Sequence, residues 1–483
     1  MAELSAPAVL HLTAAVGGGV DRYIRDAAAT TARRHFIWHA GDAIDVIEDV
    51  AARAFVPLRD VIRNAHAASA LDAWQRAERI GLIHLHGVDR AVRDRLALTD
   101  AALPAIATLH DVAFLAPRAF EANAMPVRDA AWIAEIETAL TRVATLVVPS
   151  AFIRREAERA FPAKTLVDIA PGIAPPVQTA RSPQPAADFI ERAPRHVVAV
   201  VGAIGPHKGS ALVDTIAREL AGTGIGLVVI GYTSERILRG WVGDYYVHGP
   251  YLDADLPALL PAYRVELALF PNRLPESFSY TLSEAWAARI PAIVPDAGAL
   301  GERVAYHGGG WRLAAAFDAT DASALIRHLF RADGEIERAR VKSQIDPFDA
   351  DRIPTLASMS RALDRLYERF AVPPQGASGV APAEALTPLL AANLDGFAFR
   401  AELLHLAEDL DNARTAIAAL QRDLARTQEW ARKAEANGDA WAAKLQRDIE
   451  ALQREVHLRD DVLSHLPTIV RAWLLKRARR DGR

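Results

Sequence analysis

The chain has 483 residues, about half of them apolar and a quarter charged, which is too long for one ordinary core and has the balance of a soluble globular protein. Lys and Arg number 56 against 60 Asp and Glu, so no global basic field points to nucleic acid, and no nucleic-acid partner is expected. The cysteine count is zero, which excludes disulfides, thiolate zinc sites and a Cys nucleophile. The stretch before Gly17 lacks the basic start of a signal peptide, and no apolar run reaches the ~18–20 residues that a spanning helix needs. A cytoplasmic protein is expected, with peripheral contact at the inner membrane face left open.

In chain order, Ala8–Leu12, Leu82–Leu85, Ala105–Leu109 and Leu146–Val148 are short runs rich in Val, Ile and Leu. Val197–Val201, Leu227–Ile230, Leu267–Phe270 and Ala292–Val294 repeat the pattern. Such runs, bounded by Gly, Pro or polar residues, read as buried parallel strands. The helical-period stretches between them imply βαβ units, hence an α/β chain of two Rossmann-like, doubly wound domains. Ligands of such sheets sit beyond the carboxyl ends of the strands.

Prolines gather from Pro171 to Arg195, and again from Val372 to Pro388. The expected organisation is a first domain over 1–172, a linker over 173–195, a second domain over 196–370 and a Pro/Gly-rich linker over 371–398. A coiled coil over 399–465 follows, with Leu403, Leu406, Leu410, Ala413, Ile417, Leu420 and Leu424 at 3-4 spacing. The seam weakens, then resumes at Trp441, Leu445, Ile449, Leu452 and Val456. Asn437-Gly438 is either a tolerated break in one long helix or the turn of a hairpin. This seam predicts a homo-oligomer. The basic amphipathic tail, 466–483, sets Trp473 beside Lys476–Arg480 and suits an anionic membrane surface, with a solvated helix end as the alternative.

Five loops at strand ends carry the candidate chemistry. Gly17-Gly18-Gly19-Val20-Asp21 follows the first strand and lets backbone N–H groups approach an anion at a helix start, without matching a dinucleotide fingerprint. Thr108-Leu109-His110-Asp111 ends another strand, where a neutral imidazole can donate to a sugar hydroxyl or a developing charge. His84 and His86 share one strand face as a metal pair would. No third ligand at suitable spacing is evident, so they read as structural and no metal is expected.

The third loop, Gly202-Ala203-Ile204-Gly205-Pro206-His207-Lys208-Gly209-Ser210, puts free N–H groups, a helix dipole and an ammonium where a diphosphate fits, though its order is not that of a Walker loop. In the fourth, Pro275-Glu276-Ser277-Phe278-Ser279-Tyr280-Thr281-Leu282-Ser283-Glu284, two carboxylates eight residues apart can each accept from a pair of vicinal hydroxyls. The fifth, Pro295-Asp296-Ala297-Gly298-Ala299-Leu300-Gly301-Glu302, is small enough to pass close to a ligand or is an ordinary connection.

Taken in order over roughly residues 7–365, these segments resemble the group 1, family 4-like retaining glycosyltransferases of the GT-B fold. The resemblance implies a metal-independent hexosyltransferase with no cofactor beyond its nucleotide-sugar co-substrate. The acceptor would be a glycan or a lipid-linked glycan, in surface polysaccharide (O-antigen or capsule-like) assembly. It implies that Lys208 neutralises the donor diphosphate, Glu284 holds the ribose, and Glu276 contacts the donor sugar with Ser277 and Phe278 beside it. Gly18, Gly19 and Gly202 would approach the donor, and His110 would face the transferred sugar. One place departs from the family: Ala203 stands where an Arg is usual, which removes a charge-assisted contact worth on the order of 1.5–3 kcal/mol. His207 or Arg273 would have to compensate. Two other readings stay open: a nucleotide-sugar epimerase, and a non-catalytic GT-B-like scaffold that binds glycan or nucleotide and oligomerises through its coiled coil.

Overall fold

The computed structural model describes residues 6–14, 17–41, 44–119, 125–174, 184–234, 236–373, 381–390, 446–455 and 457. The expected coiled coil and basic tail lie outside these residues, except that 446–455 is helical. No helix among the described residues is long and apolar enough to cross a membrane.

The first sheet contains β1 (Ala8–Thr13), β2 (His35–His39), β3 (Ile44–Asp49), β4 (Ala54–Arg59), β5 (Ile80–His86), β6 (Ala105–Thr108), β7 (Val143–Val148) and β8 (Leu166–Asp168). Their order is β4-β3-β2-β1-β5-β6-β7-β8, all parallel except where β3 pairs antiparallel with β2 and β4. The second sheet contains β9 (His196–Ile204), β10 (Ile225–Thr233), β11 (Gly240–Val242), β12 (Tyr245–Val247), β13 (Val265–Leu269), β14 (Ala292–Pro295) and β15 (Gly310–Leu313). Its order is β11-β12-β10-β9-β13-β14-β15, with β11 alone antiparallel. The strand order turns back on itself between β1 and β5 in the first sheet and between β9 and β13 in the second. These are the switch points where α/β sheets open a crevice.

Apolar side chains pack on both faces of each sheet, as continuous Val, Ile and Leu runs require. The eight apolar runs read from the sequence are all strands. β2, β3, β4, β8, β11, β12 and β15 are not among those runs, being very short or interrupted by charged and His residues.

The chain crosses between the sheets twice, and the crossings touch. Ile173 N–H donates to Pro354 C=O at 2.9 Å, and Leu356 N–H to Ile173 C=O at 3.1 Å. A Cβ at Gly172 would stand 2.3 Å from the Thr355 carbonyl oxygen, so only glycine fits there. Thr355 and Ser358 form a capping box that starts the Leu356–Phe370 helix.

That helix ends at the boundary expected at 370 but packs on the first domain. Its Met359, Leu363, Leu366 and Tyr367 pack with Val9 and Leu82 of the first sheet and with Tyr23 and Ala27 of the helix Gly18–Thr30 that follows β1, not with the second sheet. The two stretches read as linkers are also partly built. Ala187–Glu191 is a short helix whose Phe189 joins the second core. Pro382–Ala385 and Thr387–Leu389 are helical turns that bury Leu386 and Leu389 in the first core. Proline density masked these anchors, because one or two apolar side chains suffice to dock a short segment.

Candidate functional site

The carboxyl edges of the two sheets meet. Gly17 and Gly18 have positive φ, 74° and 67°, and turn the chain out of β1 into the Gly18–Thr30 helix. Gly19 faces the Tyr280 ring, which an added Cβ would meet at an ordinary contact distance of 3.7 Å. One turn on, Arg22 Nη1 donates to Glu284 Oε1 at 2.7 Å, and its guanidinium carbon sits 4.3 Å from the Tyr280 ring centre. Arg22 Nε also lies 3.4 Å from Asp253 and 3.7 Å from Asp26. Three carboxylates thus share one guanidinium. Burial raises the pKa of Glu284, opposed by Arg22 and reinforced by Asp253 and Asp26. Burial likewise lifts that of Asp26 to about 6.

On the second sheet, β9 runs through Gly202 into the turn Pro206–Lys208 and then the Ser210–Leu220 helix. Gly209 is obligatory: at φ 79°, a Cβ there would come within 2.0 Å of the Pro271 carbonyl oxygen. The turn carries Lys208 to 3.4 Å from Glu276 Oε1. The same Oε1 accepts from Asn272 Nδ2 at 2.7 Å. Lys208 and Glu276, found separately in the sequence, are therefore partners. Buried Asn272, which the sequence reading did not single out, orients the carboxylate between them.

The backbone of the Glu276 loop is held from behind. Gly298, at φ 58°, lets the fifth loop pass close: a Cβ there would lie 2.8 Å from the Glu276 carbonyl oxygen, and Ala299 N–H donates to that oxygen at 2.9 Å. Buried Arg303 donates to the carbonyls of Phe278 (3.1 Å) and Ser279 (2.9 Å), to Ser283 Oγ (2.7 Å) and to the Arg352 carbonyl (2.9 Å). Burial lowers its pKa to about 9. This clamp sustains Ser279 at φ 75°, a conformation that side chains other than glycine rarely adopt. Ser279 also caps the Tyr280–Ala287 helix that carries Glu284, its Oγ accepting from Leu282 N–H at 3.3 Å. Ser277 and Phe278 lie in the same loop, and the Phe278 ring stacks under Arg303, 4.3 Å from its guanidinium carbon.

The two residues named as substitutes for the missing Arg differ in what they have left to give. Arg273 Nη1 donates to the Phe317 carbonyl at 2.8 Å, which commits it to a neighbouring loop. The pKa of His207 is lowered by burial and by Lys208, so at neutral pH it offers a hydrogen bond but no charge. Ala203 is exposed on β9, and its place would admit a longer side chain.

His110 follows β6. Its Nε2 is 2.9 Å from His86 Nδ1, and its ring stands edge-on to Tyr23 at 5.0 Å. The third imidazole that local spacing failed to reveal is His11 on β1, directly opposite His84 in register. Ligand atoms of His11, His84 and His86 lie within 4.8 Å of one another, all buried. Only the pairing of parallel strands brings them together.

This arrangement, two doubly wound sheets joined edge to edge with charged loops at both switch points, is the GT-B fold. Residues 17–175, about a third of the chain, match Glycosyltransferase Family 4. Solved structures share the architecture at low identity. HepE from Anabaena, in complex with UDP and glucose, is 15% identical, with a TM-score of 0.54 over 75% of this chain and 100% of its own. A glycosyltransferase from Rickettsia africae is 13% identical, with a TM-score of 0.52 over 76% and 98%. Sucrose-phosphate synthase from Thermosynechococcus elongatus is 15% identical, with a TM-score of 0.50 over 75% and 98%. No curated protein matches the chain.

Proposed function

We propose that this chain is a hexosyltransferase that takes a sugar from a nucleoside-diphosphate sugar and transfers it, with retention and without a metal, to a glycan or lipid-linked acceptor of surface polysaccharide assembly. The observation that carries the proposal is the Lys208–Glu276–Asn272 constellation beside the β9/β13 switch point, with Glu284 one short helix away. An ammonium at the start of the Ser210–Leu220 helix adds to the helix's own positive end, and together they meet the negative charge that grows on a departing diphosphate. Because both are fixed before reaction, little reorganisation is needed as that charge develops. Glu276 and Glu284 accept from hydroxyls of the donor sugar and ribose, and His110 faces the sugar from the first domain. HepE, of the same fold, is described in complex with UDP and with UDP-glucose, which makes a uridine donor the first to try.

In this reading Arg22 occupies Glu284 until the ribose displaces it. The Arg22–Glu284 pair is then one of the contacts that a bound donor rearranges. The test is Glu276→Gln, which keeps shape and removes charge. Donor turnover should fall at least a hundredfold while the melting temperature stays within a few degrees. Turnover indifferent to Glu276→Gln would end the proposal, and donor binding with no turnover in the wild type would favour a binding scaffold.

A further inference from the structure

Four histidines form a continuous hydrogen-bonded file under the first sheet's helical cover. His11 on β1 and His86 on β5 point to the same face as His35, which lies opposite Val9 at the start of β2. His35 Nε2 is 2.5 Å from Thr31 Oγ1, and His35 Nδ1 is 2.8 Å from His11 Nε2. His11 Nδ1 is 2.8 Å from His86 Nε2, and His86 Nδ1 is 2.9 Å from His110 Nε2. The inner three rings are buried, and His110, at the edge, is half-buried. Burial pushes the pKa of His11 and His86 well below the ordinary value, that of His35 to about 4 and that of His110 to about 3, so each ring holds one proton at neutral pH.

Counting protons gives the file a direction. Thr31 Oγ1 has a single hydrogen, which it donates to the Ala27 carbonyl at 2.8 Å. Toward His35 it can only accept, so His35 carries its proton on Nε2 and leaves Nδ1 bare. Bare Nδ1 of His35 accepts from His11 Nε2–H. The same step repeats from His11 to His86 and from His86 to His110. Each neutral imidazole has one donor and one acceptor, so no link can reverse unless all do.

We infer that Thr31, His35, His11 and His86 are positioning residues that lock His110 as the Nε2–H tautomer, so that it offers its Nδ1 lone pair to the ligand. His110 is then an acceptor of a hydroxyl proton rather than the donor that a strand-end imidazole suggests. The identity of that hydroxyl as one on the transferred sugar rests on the proposed function; the tautomer does not. His84 stands beside the file with its nitrogens on Tyr367 Oη (3.0 Å) and Thr108 Oγ1 (2.7 Å). The nitrogens that a His11–His84–His86 metal site would need are therefore already engaged.

The experiment is a long-range 1H–15N correlation on the full, unliganded chain with 15N-labelled histidine, at neutral pH. The His110 signals among the 15 histidines are assigned by their loss in His110→Gln. The expected result is a protonated Nε2 and a bare Nδ1 at His110, converting to a mixture of tautomers in Thr31→Val and restored in Thr31→Ser. A protonated Nδ1 in the wild type would overturn the inference, as would a Thr31→Val spectrum identical to it. So would stoichiometric zinc uptake that shifts the His11, His84 and His86 signals. No sugar or nucleotide is present, so a failed transferase assay leaves this measurement intact.

Discussion

At the carboxyl edge of the first sheet stand imidazoles that burial keeps neutral; at that of the second, an ammonium and a carboxylate lie 3.4 Å apart on a loop clamped by Arg303. Both sheets are wound alike, so the backbone is not what separates them. The first domain contributes hydrogen-bond direction, set by a proton count across β2, β1 and β5. The second contributes charge fixed in place, which suits a donor whose reaction generates charge. Substitutions on the two sides should therefore fail differently: on one through rate and charge, on the other through protonation and stability.

Lys208→Ala gives the largest expected effect. Removing a fixed group that meets leaving-group charge costs on the order of 10²–10³ in kcat. Initial rates of donor turnover at saturation check it, and a loss under tenfold would place the charge elsewhere. The first domain should instead respond to pH. An unfolded chain protonates these imidazoles near pH 6.5, whereas the folded one resists until about 4 at His35 and about 3 at His110. Between those values the unfolded state binds more protons, so stability falls as pH drops through the window, by on the order of a few kcal/mol. Denaturant unfolding at pH 7 and pH 4.5 measures it. An unchanged midpoint would mean that the imidazoles are solvated.

Ala203→Arg sharpens the second side. A guanidinium restored beside the Lys208 turn should tighten donor binding about tenfold, since a charge-assisted hydrogen bond contributes ~1.5–3 kcal/mol. Isothermal titration reads it directly, and weaker binding would mean that the Ala203 site does not face the diphosphate. Smallest is Arg273→Ala. Its guanidinium already serves the Phe317 carbonyl, so donor affinity should stay within about twofold. A tenfold loss would make Arg273 the missing phosphate ligand after all.

Much of this was legible before any coordinates. The apolar runs announced both sheets because a parallel strand buried on two faces must be apolar along its length. Lys208, Glu276 and Glu284 stood out because their loops follow such runs. What the sequence hid was whatever depends on pairing across it. Asn272 and Arg303 are ordinary residues until the fold turns them onto Glu276 and Ser279. His11 and His35 lie 24 residues apart and meet His86 only through the register of three parallel strands. The Leu356–Phe370 helix reads as the end of the second domain, yet Met359 and Tyr367 find their apolar partners on the first. Chain order does not encode which sheet a terminal helix covers.

The account's central claim is that the Lys208–Glu276 pair, with Glu284, holds a nucleoside-diphosphate sugar. Isothermal titration of the wild type and of Lys208→Ala with UDP-, GDP- and dTDP-sugars tests it most directly. One donor should bind saturably to the wild type and at least tenfold more weakly to the variant. Equal affinity in the two proteins, or no binding by any donor in the panel, would contradict it.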